Sequence, residues 1–253
     1  MSLVERQKAD FDTLYAAGTR EHIALKDPLV DYTTYWRLRE AFRRLRHATP
    51  GRIRETSNIL VMCAGDGADG SVLCDMGYQN VTVSDISDMG VAAALARDSR
   101  LAGLVLNAQN AQIEDGAFDV VVVQDGLHHL PSPIQGFTEM LRIASIGAVF
   151  LEPHDSLVGR VLGTKWERNG EATNYVFRWT RKLVHDVACS YFGSDSFQNL
   201  SFSFWHHNIA YHRLGVMLGD GTRGIYAIRT IKFVLDHVLG RFGNQFCGMV
   251  IKV

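Results

Sequence analysis

Five apolar residues, Ile59 to Cys63, run straight into Ala64-Gly65-Asp66-Gly67-Ala68-Asp69-Gly70, and no other segment constrains the fold as tightly. An apolar strand that breaks at glycines and reopens as a helix lets backbone approach a ligand and aim amide groups at it. The spacing is G-x-G-x-x-G, a weak signal alone that suits a dinucleotide or another nucleoside. Asp85 strengthens it. It closes the next strand, fifteen residues after Gly70, where a carboxylate accepts hydrogen bonds from two ribose hydroxyls.

The rhythm around this junction is strand and helix in alternation. The pattern predicts strands at Ile59–Cys63, Val81–Ser84, Leu104–Leu106, Asp119–Gln124 and Ala148–Leu151, with helices at Ala68–Met76, Ser87–Arg97 and Pro133–Ala144. Gly77 is a suitable C-cap for the first of these helices. Four consecutive valines, Val120 to Val123, read as a strand buried on both faces. Such alternation implies a parallel sheet covered by helices. Before it, residues 2–17 and 31–47 have helical spacing, and Thr49-Pro50-Gly51 ends the pair. After it, Phe177–Tyr191 and Ile225–Leu239 read as helices, Leu200–Trp205 as extended and Met249–Val253 as a closing strand. Residues 153–176 show no period and suggest a long loop or lid.

Composition removes several classes of function. With 47% hydrophobic and 21% charged residues over 253 positions, the chain is an ordinary globular one with enough length for a large core. Lys+Arg of 26 against Asp+Glu of 27 gives a net charge of −1, so no polybasic nucleic-acid binder is expected. Cys63, Cys74, Cys189 and Cys247 have neither zinc-site nor disulfide-framework spacing and read as reduced thiols. The first twenty residues lack a signal-peptide pattern, and no apolar run spans a membrane. A cytoplasmic location is the expectation.

The glycine turn, Asp85, the segment Asn107 to Asp119, the loop Gln124-Asp-Gly-Leu-His128-His129-Leu-Pro-Ser-Pro, and the pieces Glu139 to Arg142 and Gly147 to Pro153 occur in one order. In that order they resemble a class I S-adenosylmethionine-dependent methyltransferase of the small-molecule type, over roughly residues 58–153. The resemblance implies a Rossmann-like α/β fold. Its seven-stranded, mostly parallel sheet would run in the order 3-2-1-4-5-7-6, with an antiparallel last strand. It also implies S-adenosylmethionine as cofactor, S-adenosylhomocysteine as product and no metal. The cofactor-binding residues it implies are Ala64, Gly65, Asp66, Gly67, Gly70, Asp85, Ile86, Asn107, Ala108, Gln124 and Asp125. Asn107 stands where the family has an acidic residue, and its amide oxygen can still accept from an adenine amino group. Cys63 stands where the family often has the carboxylate that holds the methionine ammonium, so that contact must come from elsewhere.

His128 and His129 follow the fourth strand, at the sheet end where ligands of open α/β folds bind. An imidazole there suits a base that takes a proton from a hydroxyl as it attacks the methyl group. Glu152, His154 and Asp155 follow the fifth strand. Glu152 and His154 are further candidate bases, and Asp155 a candidate acceptor contact. Tyr15, Tyr32, Trp166 and Tyr175 are candidates to touch ligand from a cap. His206, His207 and His212 have no metal-ligand spacing. Arg37, Arg39, Arg43, Arg44, Arg46, Arg52 and Arg54 form a basic cluster that suits a solvated helix face, an anionic acceptor or a membrane surface. Residues 165–175 and 243–253 are loosely similar to methyltransferases of bacterial polysaccharide and secondary-metabolite clusters.

The expectation is therefore an enzyme that moves a methyl group to a hydroxyl of a small molecule, either sugar-like, anionic or a secondary metabolite. N-methylation of a small amine, an NAD(P)-dependent oxidoreductase and a non-catalytic cofactor-binding subunit are the alternatives. Residues 1–50 are expected to form a helical cap and 51–253 the methyltransferase domain, with a lid-like insertion around 153–180. Neither a nucleic-acid partner nor a transmembrane segment is expected, and a homodimer is left open.

Overall fold

A computed structural model describes residues 3–16, 27–169, 172–193, 196–219 and 221–253. Two helices come first, α1 (Leu3–Ala16) and α2 (Pro28–Ala48). Helix α2 starts three residues earlier than periodicity predicts. Pro28 fits the first turn, and the Asp27 carboxylate accepts from the Leu29 amide at 2.8 Å. Then follow β1 (Asn58–Val61), α3 (Ala68–Asp75), β2 (Asn80–Asp85), α4 (Asp88–Arg97), β3 (Ala102–Val105), β4 (Phe118–Gln124), α5 (Pro133–Ile143) and β5 (Ala144–Pro153). The second half holds α6 (Leu157–Leu162), β6 (Trp166–Asn169), β7 (Ala172–Tyr175), α7 (Arg181–Phe192), β8 (Phe197–Asn199), β9 (Phe202–Phe204), α8 (Asn208–Leu218), α9 (Gly221–Leu239) and β10 (Gln245–Lys252).

The main sheet runs β3-β2-β1-β4-β5-β10-β8, with β9 also on β10. Strands β3 to β5 pair in parallel, and β10 is antiparallel to β5 with Cys247 opposite Leu151. This is the expected order 3-2-1-4-5-7-6, except that two short strands, β8 and β9, occupy the edge position. Side-chain alternation explains the two-faced burial. Val120 and Val122 pack with Leu38, Phe42 and Leu45 of α2, whereas Val121 and Val123 pack with Phe137, Phe150 and Trp179 on the other face.

The later half departs from the sequence expectation in several places. Residues 153–176 are not an aperiodic loop: they contain α6 and a β6–β7 hairpin, in which Trp166 pairs with Tyr175 and Glu167 with Asn174. Four-residue strands whose aromatic ends face solvent carry no alternation to read. The helix expected from Phe177 begins at Arg181, because Trp179 is fully buried and its amide donates to the Pro153 carbonyl at 2.9 Å. The Thr180 hydroxyl caps the true start at the Leu183 amide. Leu200–Trp205 is not one strand, since Leu200 and Ser201 separate β8 from β9. Helix α8 was not anticipated. Gly170 and Glu171 lie outside the described residues. No helix among the described residues is long and apolar enough to cross a membrane.

Candidate functional site

The glycine turn sits at the C-terminal end of β1, and three geometric requirements fix its sequence. Gly65 and Gly67 have φ of 54° and 77°, the left-handed region that favours glycine. A Cβ on Gly67 would lie 2.5 Å from that of Ala94 in α4, and one on Gly70 would lie 2.5 Å from Val83 Cγ1 in β2. Gly67 and Gly70 therefore serve close helix–strand packing and do not line the cavity. The Asp85 carboxylate, at the end of β2, accepts the Gly65 amide at 2.9 Å and the Ser87 amide at 3.0 Å. Burial raises its pKa against those amides. The Ile86 amide also bonds this carboxylate, which keeps acceptor capacity for a ligand hydroxyl.

These elements border a cavity of about 230 Å³ at the carboxyl end of the parallel strands. Ala64, Gly65, Asp66, Asp85 and Ile86 line one side of it. Asn107 and Ala108 line the far end after β3, and Gln124, Asp125 and His129 the end of β4. The Asn107 side chain is already engaged in a local turn, accepting the Gln109 amide at 3.0 Å. Asp66 lines the wall, but its carboxylate is paired with Arg97 of α4 at 2.6 Å. Cys63 and Asp125, at the ends of β1 and β4, have φ of 53° and 52°. They are the non-glycine residues with positive φ among the described residues, and both border this crevice.

One side of the cavity holds a cluster of opposite charges. Arg37, buried on α2, pairs with Asp125 and also donates to Gln245 at 3.3 Å. Asp69 lies beside them and accepts from Gln124 Nε2 at 2.7 Å. Burial pushes the Asp69 carboxyl up to about 7. The Arg37 charge lowers it, and the Asp125 and Asp66 charges raise it further. Two buried polar atoms here have no hydrogen-bond partner among the described residues, the acceptor Gln124 Oε1 and the donor Arg37 Nε. Leaving such atoms unpaired is unfavourable by roughly 1–3 kcal/mol each, so the cluster is built to receive a ligand with both kinds of polar group. Cys63 is a neutral thiol in the same wall, its pKa raised well above the usual value by burial.

Helix α1 forms the roof. Tyr15 lies against Gly65 and Gly90, and Gln7 Nε2 donates to the His129 carbonyl. Two polar contacts fasten α1 to α4: Lys8 pairs with Asp88 at 3.0 Å, and Ser87 donates to Asp12 at 2.5 Å. Val4, Gln7, Phe11 and Tyr15 thus line the cavity, and the Phe11 ring meets His129 edge-on at 5.8 Å.

The other sequence-derived candidates lie elsewhere. Glu152 is fully buried and does not line the cavity. It accepts the Gly126 and Leu127 amides at 2.8 and 2.7 Å and contacts His128 Nδ1 at 2.6 Å, so it holds the loop after β4 in shape. His128 points into this carboxylate and toward Glu167 on the β6–β7 hairpin. Burial draws its pKa down, but the Glu152 charge and the contacts to both glutamates prevail and raise it to about 10. His154 contacts the Gly243 carbonyl through Nδ1 and stacks on Phe246, and Asp155 pairs with Arg160. Trp166 and Tyr175 pack on each other and are more than half exposed.

Tyr32 lines a separate cavity with Arg39, Arg43, Arg44 and Arg229, on the α2–α9 side. The basic cluster therefore divides: Arg37 alone borders the first cavity, while Arg39 pairs with Asp31 and Arg43 and Arg44 pair with Glu40. His206 is buried and accepts from Trp36 Nε1, so it is a packed histidine. Asp69, Gln7 and Phe11 were missed as lining residues. Only Asp69 carried a signal, an acid inside the glycine motif.

Comparison with known proteins agrees with this architecture. Residues 60–151 match a family described as a methyltransferase domain. A demethylmenaquinone methyltransferase of Beutenbergia cavernae is 28% identical over 142 residues, spanning 56% of this chain and 58% of that protein. The chain thus matches little more than half the length of this curated relative. Among solved structures, the methyltransferase bound to the Haloferax volcanii Trm112 activator superposes with a TM-score of 0.63 at 16% identity, covering 96% of each chain. The magnesium protoporphyrin IX methyltransferase of Synechocystis, solved with S-adenosylhomocysteine, gives 0.52 at 13% identity over 85% of this chain and 83% of that one.

Proposed function

From the premise that the chain carries a class I S-adenosylmethionine-dependent methyltransferase domain, we propose that it transfers a methyl group to a hydroxyl of a small acceptor. The observation that carries the cofactor assignment is the pair of unpartnered buried atoms, Arg37 Nε and Gln124 Oε1, in a cavity that also holds Asp69 and Asp85. An amino-acid zwitterion needs a cationic donor for its carboxylate and anionic or carbonyl acceptors for its ammonium. A nucleoside needs acceptors for its ribose hydroxyls, and the remaining acceptor capacity of Asp85 serves them. Asp69 and Gln124 take over the role that Cys63 does not fill. Ile86 and Ala108 give the adenine its apolar walls and a backbone edge.

Bound there, S-adenosylmethionine supplies an electrophilic methyl group on a sulfonium. The chain's own residues align the acceptor, keep water out and move one proton. Helix α1 excludes water with Val4, Phe11 and Tyr15, which favours a displacement whose positive charge, localised on the sulfonium at the start, is spread out in the transition state. His129 is the candidate base. It lines the cavity, and its ring is fixed by Phe11 on one side and by His128, 4.1 Å away between centroids, on the other.

The hydroxyl acceptor rests on that histidine, because a neutral amine attacks a methyl group without a base. His129→Asn is expected to lower turnover of a hydroxyl acceptor by about a hundredfold and to leave S-adenosylhomocysteine affinity within threefold. Release of S-adenosylhomocysteine, measured with a phenol, a quinol, an alkyl glycoside and a primary amine, checks both statements. Turnover confined to the amine, unaffected by His129→Asn, would overturn the O-methyl reading.

A further inference from the structure

His128, His129 and Glu167 come from two elements that sequence reasoning kept apart, the loop after β4 and the β6–β7 hairpin. One ligating atom from each lies within 4.8 Å of the other two. We propose that these three side chains bind a divalent transition-metal cation, of the zinc, cobalt, manganese or ferrous class, at the wall of the cavity.

Three features of the geometry carry the assignment. The first is the donor set. Two imidazoles and one carboxylate suit such metals, leave further coordination positions open, and occur together nowhere else among the described residues. The second is spacing. His128 Nε2 and Glu167 Oε2 are 3.2 Å apart. Two ligands at bonds of about 2.0–2.1 Å on a tetrahedral centre lie about 3.3 Å apart, so this hydrogen-bonded pair spans a metal once the proton between them is displaced. The ligating nitrogen of His129 lies within 4.8 Å of both of these atoms.

The third feature is the support behind the site. The other ring nitrogen of His128, Nδ1, is held at 2.6 Å by Glu152, a carboxylate with no solvent exposure. Metal-ligating histidines are oriented in this way, by a carboxylate on the nitrogen that does not bind the metal. Glu152 in turn is fixed by the Gly126 and Leu127 amides, so the imidazole Nε2 is aimed rather than free to swing.

Of the three ligands His129 borders the cavity, so the site would adjoin the space where an acceptor binds. The inference stands apart from the proposed methyl transfer, in which His129 acts as base only while no metal holds its ligating nitrogen, and metal binding is read on the chain alone.

The test uses the full chain stripped with a chelator and titrated with Co²⁺, followed by its visible absorption, and then with Zn²⁺ in competition. One Co²⁺ per chain is expected at micromolar or tighter affinity, displaced by Zn²⁺. His128→Ala threatens the fold because the side chain is buried, so Glu167→Gln is the informative variant. The Glu167 side chain is 43% exposed. Its metal affinity should drop at least tenfold with an unchanged melting temperature, and Glu167→His, which keeps a ligand, should retain binding. No visible band and no retained zinc at equimolar metal would overturn the proposal. So would binding that Glu167→Gln leaves unaltered.

Discussion

Asp85→Ala should weaken S-adenosylhomocysteine binding by a hundredfold or more, with Asp85→Asn falling between. The carboxylate has two tasks. In the proposed complex it accepts from the ligand's ribose, and it holds the glycine turn through the Gly65 and Ser87 amides at 2.9 and 3.0 Å. Hydrogen bonds to a charged partner contribute roughly 1.5–3 kcal/mol each. Two of them lost from the ligand correspond to a hundredfold change or more at about 1.4 kcal/mol per factor of ten. The asparagine variant retains one acceptor and loses the charge, which places it in between. Titration calorimetry on the three proteins checks the order. Equal affinity in wild type and Asp85→Ala would remove the ribose from this end of β2.

Asp69→Asn is expected to weaken ligand binding and to stabilise the protein, and both effects should grow as pH rises toward and past 7. The folded-state pKa is about 7, above the 3.8 of an ordinary aspartate. The folded chain therefore holds a proton that the unfolded chain has lost between these values. Folding stability associated with this group is intact below about pH 4 and declines as pH rises toward 7. Removing the ionisable group should raise unfolding free energy by about 2–4 kcal/mol at pH 8, a gap that closes near pH 4.

Wild-type ligand affinity runs opposite to wild-type stability. Receiving an ammonium requires the carboxylate, so wild-type affinity for S-adenosylhomocysteine should fall by up to tenfold per pH unit below 7 and level off above it. Asp69→Asn should bind roughly thirtyfold more weakly at pH 8, with little pH dependence from 5 to 8. Urea melts and calorimetry at pH 4, 6 and 8 separate the two curves. A variant no more stable than wild type at pH 8 would show that the buried carboxylate is compensated in the free protein.

The sheet was legible because its strands repeat one physical pattern. Val120 to Val123 face two cores alternately, and the turn at Gly65 and Gly67 tolerates no side chain at positive φ. The place of Asp85 in the cavity wall was legible for the same reason, being fixed by the strand it ends. What escaped was chemistry assembled across elements. Arg37 read as one of seven arginines on a basic stretch, and nothing in its spacing said that it alone turns into the cavity. Glu152 read as a candidate base, yet burial and three contacts make it a brace for the β4 loop. Glu167 was invisible because a four-residue strand has too few positions to show a period. The same shortness hid the β6–β7 hairpin that carries it.

The central claim is that the cavity takes an amino-acid-bearing nucleoside. The most direct measurement is a calorimetric titration of the purified chain with S-adenosylhomocysteine, alongside NADH and NADPH. The account predicts micromolar, one-to-one binding of S-adenosylhomocysteine and none of either dinucleotide, because Arg37, Asp69 and Gln124 complement a zwitterion that the dinucleotides lack. Binding of NADH or NADPH without S-adenosylhomocysteine would contradict it and make the glycine turn a pyrophosphate site.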